Sequence, residues 1–307
     1  MAWLTPTVLY PSIVKMNNNV SVKFFSLSSG SCGNCYFLSL EEEGRHVAGV
    51  LIDAGVSLRR LKKELAVKGY GCDSFSAILV THDHLDHIRH LGSFCKHLKK
   101  PVYATPTLHN ALTHHTFTAE WIGGCSRNLK DDGWNIIVPD RIFVKYFIVP
   151  HDATQTVGYA LWLGGYKFVM MTDIGEMTDE ALAYAKNADT VVIESNYDMG
   201  MLLTGSYPYE LKMRICKGCG HLCNDKCAEA VRQFCNNGLK HIFLCHLSEN
   251  NNTPELAYKA SSAALASIGY RPTYENSGVF ARNDSGVEHC VTLRTLPRQT
   301  ASTLFIL

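Results

Sequence analysis

Between Thr81 and Ile88 the chain reads Thr81-His82-Asp83-His84-Leu85-Asp86-His87-Ile88, three imidazoles and two carboxylates within six residues. This cluster follows Ala77-Ile78-Leu79-Val80, an apolar run that reads as a buried strand. A core strand that ends in His-x-His-x-Asp-His delivers several ligands to one point in space. Imidazole suits zinc, iron and manganese-type ions, and the carboxylate adds capacity for hard metals. A polar loop with incidental histidines accounts for one such residue, not for three and an aspartate at this spacing. The stretch therefore predicts a metal site of the kind hydrolases use.

The rest of the chain bounds what that site can serve. The 307 residues suffice for one large domain or two small ones with a sizeable core. A formal net charge of +1 supplies no global basic field, so a polyanionic partner must be held by local patches or by metals. No apolar run approaches the ~18 residues of a membrane span. Of twelve cysteines, Cys95, Cys235 and Cys245 sit in apolar stretches where Cys behaves as a small hydrophobe. Without a signal peptide, a reducing cytoplasm with free thiols is expected. Residues 1–20 read as an N-terminal extension, with Met1 to Lys15 poorly packed. The domain is expected over 21–285, and 286–307 as a C-terminal tail.

Strands are expected at Val22–Ser28 and Asn34–Leu40. They flank the small-residue run Ser28-Ser29-Gly30-Ser31-Cys32-Gly33-Asn34-Cys35, which is either a plain hairpin turn or a place of close backbone approach. A third strand, Val47–Ile52, ends in Asp53-Ala54-Gly55. The helix Ser57–Lys68 buries Leu58, Leu61 and Leu65 and turns Arg59, Arg60, Lys62 and Lys63 outward, as a phosphate-contact patch or a solvated face. Helices near Leu91–Leu98 and Leu108–His115 surround a strand at Pro101–Ala104. Asn110, His114 and His115 are read as surface residues. Strands at Arg141–Val149, Val157–Leu163, Lys167–Met171, Thr190–Glu194 and His241–Cys245 alternate with helices at Thr178–Lys186, Asn224–Asn236 and Pro254–Ser267, the last capped by Thr253. Gly278–Arg282 is expected as a last strand, and the residues from Asn283 show little periodicity.

One regularity organises these elements. Asp53, His82, His151, Asp173, Glu194 and His246 each fall at or just past the C-terminal end of an apolar strand. Potential ligands at six strand ends imply one rim and one site. Two sheets packed face to face with helices outside would bury the strands and put those ends on one edge.

His82-x-His84-x-Asp86-His87, then His151, Asp173 and His246, resembles the ligand series of the metallo-β-lactamase superfamily. The resemblance implies an α/β fold, the four-layer αββα sandwich. It implies two divalent ions, zinc or manganese and in some cases iron. His82, His84 and His151 would hold the first ion, Asp86, His87 and His246 the second, and Asp173 would bridge them, with Asp53 buttressing the histidine loop. Two such ions ~3.5–4 Å apart lower the pKa of a shared water, making a metal-bridged hydroxide the nucleophile. They also stabilise charge on the attacked group. Five neutral imidazoles among seven ligands leave the site positive and favour an anionic substrate such as a phosphodiester.

The second half is more specific. Glu194-Ser195-Asn196-Tyr197-Asp198, Gly205-x-Tyr207-Pro208, Gly220-His221-Leu222-Cys223-Asn224 and His246-Leu247-Ser248-x-Asn250-Asn251-x-Thr253-Pro254-Glu255 follow in order. With Gly30-Ser31-Cys32-Gly33-Asn34-Cys35 they resemble the YycJ (WalJ) family, from about Phe24 to Ala257. That resemblance implies a 5′-3′ exonuclease acting on DNA, linked to DNA repair, with a nucleic-acid partner. Glu194 and His221 are similar to the Glu and Gly-His pair of transfer-RNA 3′-processing enzymes, which implies His221 as proton donor to the leaving oxygen, oriented by Glu194. On its residues alone, His221 reads equally as a cap for the helix starting at Asn224, with Glu194 an ion-pair partner.

Two departures stand out: Asp83 occupies a place often held by Glu, and Cys223 replaces Ser in the Gly-His-Leu-Ser-Asn motif. Cys216, Cys219, Cys223 and Cys227 could bind a structural zinc or be isolated thiols; the spacing is not that of a zinc ribbon. The 47 residues between Asp173 and His221 leave no room for an inserted β-CASP domain of ~150 residues. A glyoxalase II-like thioester hydrolase shares the ligand series but adds a helical C-terminal region, whereas only one clear helix follows His246. A metal-binding protein without turnover would be marked by ligand loss, and no expected ligand here is lost.

Overall fold

The computed structural model of the chain describes residues 20–274 and 277–307; the extension expected over 1–15 lies outside the described residues. The described residues divide into two compact units, one of 20–148, Ala153–Tyr166 and Pro297–Leu307, the other of Val149–Asp152 and Lys167–Leu296.

The first unit begins with three antiparallel strands, β1 (Val20–Gly30), β2 (Gly33–Glu42) and β3 (Arg45–Ile52). Nearly every side chain of β2 is buried, which explains its long apolar run. The β1–β2 turn is both a hairpin and a close approach: a Cβ on Gly33 would stand 2.8 Å from the Gly55 carbonyl oxygen. The helix α1 (Leu58–Val67) starts where the Ser57 hydroxyl accepts from the Arg60 backbone N–H. It buries Leu61 and Leu65, while Leu58 is only half-buried.

There follow β4 (Ala77–Leu79), α2 (Leu85–Ile88), α3 (Leu91–Leu98), β5 (Val102–Ala104), α4 (Pro106–His114), α5 (Ala119–Ile122) and β6 (Ser126–Asn128). From β3 to β6 the strands run parallel, with helices as the crossovers. Phe25, Phe37, Leu61, Leu65, Ile78 and Phe94 belong to the core between this sheet and its helices. Each contributes roughly 1.5–3 kcal/mol by leaving water. The unit also holds β7 (Asn135–Val138), β8 (Ile142–Val149) and β9 (Thr156–Leu163).

In the second unit β10 (Tyr166–Met171), α6 (Asp179–Lys186), β11 (Thr190–Glu194), α7 (Met199–Thr204), α8 (Tyr209–Cys216), α9 (Asn224–Phe234), β12 (His241–Cys245) and α10 (Pro254–Ser267) alternate. They are followed by β13 (Arg271–Pro272), β14 (Val279–Asp284) and β15 (Val287–Thr295), and the sheet runs β13-β14-β15-β12-β11-β10. Strands β10, β11, β12 and β15 are mutually parallel.

The tail from Asn283, which shows little periodicity, carries more regular structure than its sequence suggests. β15 lies between β14 and β12, and β16 (Phe305–Ile306) pairs with β1 in the first unit. Only Val291 and Leu293 of β15 alternate inward, so its periodicity is too short to read. The short elements α2, α5, α7, α8, β6 and β7 were likewise not legible. Among the described residues no helix is long and apolar enough to cross a membrane.

Candidate metal centre

In open α/β sheets, functional groups gather outside the carboxyl ends of parallel strands. Each unit shows this.

In the first unit, Asp53 ends β3 with φ +62°, a conformation that costs a non-glycine residue about 1–3 kcal/mol. Its buried carboxylate accepts from the Thr81 backbone N–H at 2.8 Å and from the Thr81 hydroxyl at 2.9 Å. Its Oδ2 also lies 2.7 Å from His87 Nδ1. A carboxylate only accepts, so the His87 proton sits on Nδ1 and the lone pair is on Nε2. His82 is buried, its ring centroid 4.0 Å from that of His87 and 4.8 Å from that of His84. His84 stands at the N-cap of α2, and Asp86 and His87 lie inside that helix. The histidine loop is therefore partly a short helix, with Asp86 and His87 at consecutive positions in it.

Backbone bonds tie three loops together here. Ala54 N–H donates to His87 O at 2.7 Å, Gly55 N–H to Asn34 O at 2.8 Å, and His90 N–H to Ala54 O at 3.0 Å. A Cβ on Gly55 would lie 1.8 Å from the Asp86 carbonyl oxygen, so only glycine fits. Asn34, which the sequence reading places at a turn and strand start without a role at the site, brings its side-chain amide 3.0 Å from Asp86 Oδ2 and 2.8 Å from His87 Nε2. Its position directly after Gly30-Ser31-Cys32-Gly33 was the available signal. Asp83, between the expected ligands, accepts from the Thr154 backbone N–H at 3.1 Å and from the Thr154 hydroxyl. Of the four cations on α1, Arg60 is spent as a staple to the Leu27 and Gln299 carbonyls, while Arg59, Lys62 and Lys63 are exposed.

In the second unit, Asp173 and His246 follow β10 and β12 with φ +55° and +53°, and both are buried. Glu194 ends β11, fully buried. Its Oε2 accepts from the backbone N–H groups of Ile174 at 2.9 Å and Leu222 at 3.0 Å. Its Oε1 lies 2.8 Å from His221 Nδ1 and 2.9 Å from His246 Nδ1. Asp173 Oδ1 lies 3.3 Å from His246 Nδ1 and 3.8 Å from both His221 Nδ1 and His151 Nε2. His151 Nδ1–H donates to the Gly220 carbonyl at 2.6 Å, which leaves the ring's lone pair on Nε2. Asn196, also missed from sequence, donates to the His246 carbonyl at 2.7 Å and so holds the left-handed residue.

Burial pushes the Glu194 carboxyl up, but the neighbouring His221 charge and the bonds from His221 and His246 outweigh it and hold it low. Burial disfavours charge on His221 as well, yet Glu194 raises its pKa above the usual histidine value. Burial lowers that of His151 against the pull of Asp173. The side chain of His221 engages Glu194, and the N-cap of α9 is Cys223 without a side-chain cap bond. Asp173, Glu194, His221 and His246 offer ligand atoms within 4.8 Å of one another. Among the described residues no such group includes a cysteine, and Cys223 and Cys227 are buried thiols.

A model of the β-lactamase superfamily domain matches residues 49–246. The metallo-β-lactamase-fold protein YhfI of Bacillus subtilis aligns over 94% of this chain and 100% of its own, with TM-score 0.61 and 12% identity. Fold and histidine–carboxylate sets thus define a metal-dependent hydrolase of the α/β, αββα metallo-β-lactamase class. Exodeoxyribonuclease YycJ of Bacillus anthracis is 34% identical over 82% of this chain and 92% of its own length. Exodeoxyribonuclease WalJ of Streptococcus pneumoniae serotype 2 is 32% identical over 81% and 90%. The chain belongs to this YycJ/WalJ family of the β-lactamase superfamily.

Proposed function

We propose that the chain is a phosphodiesterase with two divalent ions, a 5′-3′ DNA exonuclease serving DNA repair. The observation that carries this reading is the bond between Glu194 and His221, at 2.8 Å, beside Asp173 and His246. A thioesterase expels a thiolate that needs no such acid, whereas the alcohol of a DNA strand leaves poorly unless protonated. The names of the relatives from Bacillus anthracis and Streptococcus pneumoniae support DNA as substrate.

On the sequence resemblance, His82, His84, Asp86 and His87 of the first unit and His151, Asp173 and His246 of the second would hold the two ions. The donor set fits: in His87, His151 and His246 the Nδ1 is taken up by Asp53, the Gly220 carbonyl and Glu194. Imidazoles oriented this way suit Zn²⁺, Mn²⁺ or Fe²⁺. Bound ions supply a water of lowered pKa and offset charge on the phosphate. His221 gives its proton to the leaving oxygen. Glu194 keeps His221 protonated and oriented.

The test offers the purified chain, with Mn²⁺ or Zn²⁺, linear duplex DNA with a 5′-phosphate, single-stranded DNA, RNA and a glutathione thioester. Mononucleotides released progressively from 5′ ends are expected, with little release by Asp86→Ala. Survival of all DNA substrates, or equal cutting by the variant, refutes the reading; thioester cleavage alone points to a glyoxalase II-like hydrolase.

A further inference from the structure

The helix α8 differs from the other helices of eight residues or more. Each of the others among the described residues buries part of one face, whereas α8 buries no residue. Its first residue, Tyr209, is 71% exposed, and Leu203 at the end of α7 is 60% exposed. The segment 203–217 carries Lys212, Arg214 and Lys217 against a single acid, Glu210. Arg214 is engaged by Asp152, so Lys212 and Lys217 supply the net charge. Lys212 is anchored by donating to the Leu203 carbonyl at 2.8 Å. Tyr209 and Lys212, three apart, share one face of the helix.

This exposed helix is fastened to the residues that carry the chemistry. His221 N–H donates to the Ile215 carbonyl at 2.9 Å. A Cβ on Gly220 would meet Ile215 O at 2.1 Å and Arg214 O at 2.3 Å, and one on Gly175 would meet Gly218 O at 2.0 Å. The Gly220 carbonyl in turn receives His151. A satellite cluster of Tyr197, Leu202 and Cys223, with Ile215 and Cys216 packed on it, supports the helix from below. The Tyr207 hydroxyl, 2.9 Å from the Asn250 amide, pins the approach to it.

We propose that α8 is the docking surface for the single strand that leads into the reaction: Tyr209 stacks on a base, and Lys212 and Lys217 contact the phosphates. An exposed ring with cations beside it is the arrangement that binds single-stranded nucleic acid without reading its sequence. The eight residues of α8 span ~12 Å. At ~3.4 Å per nucleotide of a strand, the length of α8 corresponds to about three to four nucleotides. This assignment rests on the phosphodiesterase reading.

The test measures fluorescence anisotropy of a labelled phosphorothioate oligothymidylate of about twelve nucleotides, which resists cleavage. Tyr209→Ala should weaken binding about fivefold or more, at a base-stacking loss of ~1–3 kcal/mol. Tyr274→Ala removes a tyrosine 79% exposed elsewhere and should bind like wild type. The double variant Lys212→Ala, Lys217→Ala should flatten the slope of log Kd against log salt by about 1.4, ~0.7 per phosphate contact. An oligothymidylate of two nucleotides should show no penalty for Tyr209→Ala. The inference is overturned if wild type does not bind the oligonucleotide, or if Tyr209→Ala and the double lysine variant bind as wild type does. Normal loss of binding by these variants, in a protein that cleaves no phosphodiester, would instead refute the catalytic reading and leave the docking surface standing.

Discussion

Oδ2 of Asp53 stands 2.7 Å from Nδ1 of His87, and both side chains are fully buried. The contact puts the proton of His87 on Nδ1 and the lone pair on Nε2. Asp53→Asn keeps the shape but removes the charge that fixes the tautomer. It should lower affinity for Zn²⁺ by about 10–100-fold, read by competition with a chromophoric chelator. Unchanged affinity would mean that Asp53 only shapes the loop.

Gly55 admits no side chain, because its Cβ would fall 1.8 Å from the Asp86 carbonyl. Gly55→Ala must push α2 and its ligands away. A loss of about 1–3 kcal/mol in urea unfolding is expected, with weakened metal binding. Wild-type stability and metal content together would contradict the packing described for Asn34, Gly55 and Asp86.

The strand-end positions were legible because each closes an apolar run: Asp53 after β3, Asp173 after β10, Glu194 in β11 and His246 after β12 all stand where periodicity placed them. Their backbone was not legible. Left-handed φ at Asp53, Asp173 and His246 leaves no mark in composition, since aspartate and histidine were already explained as ligands. Asn34 and Asn196 were missed for a related reason: a side-chain amide that holds another residue's carboxylate or carbonyl looks in sequence like any turn residue. The β15 strand was missed because only two of its residues face the core.

His221→Ala should lower turnover on DNA by about 10²–10⁴-fold while leaving the metal content intact. A p-nitrophenyl phosphodiester, whose leaving group needs no proton, should suffer far less. Equal losses on both substrates would show that His221 serves as something other than an acid.

His241 gives a pH dependence remote from the centre. Burial chiefly, with the Lys240 and Arg294 charges, lowers its pKa to about 4, against 6.5 when unfolded. The unfolded chain therefore binds the proton first, and stability is complete above about pH 6.5 and falls as pH drops towards 4. His241→Gln should flatten the slope of Tm against pH in that window. An unchanged slope would place the titration elsewhere.

The proposed function requires that the histidines and carboxylates at the strand ends hold the ions that cut DNA. Metal-free protein should be titrated with Mn²⁺ or Zn²⁺ while bound ions per chain and release of nucleotides from 5′-phosphorylated linear DNA are measured together. Activity should appear only as the chain fills to about two ions, and Asp86→Ala should neither fill fully nor cut. Cleavage undiminished in the metal-free protein, or a fully loaded protein that leaves DNA intact, would contradict it.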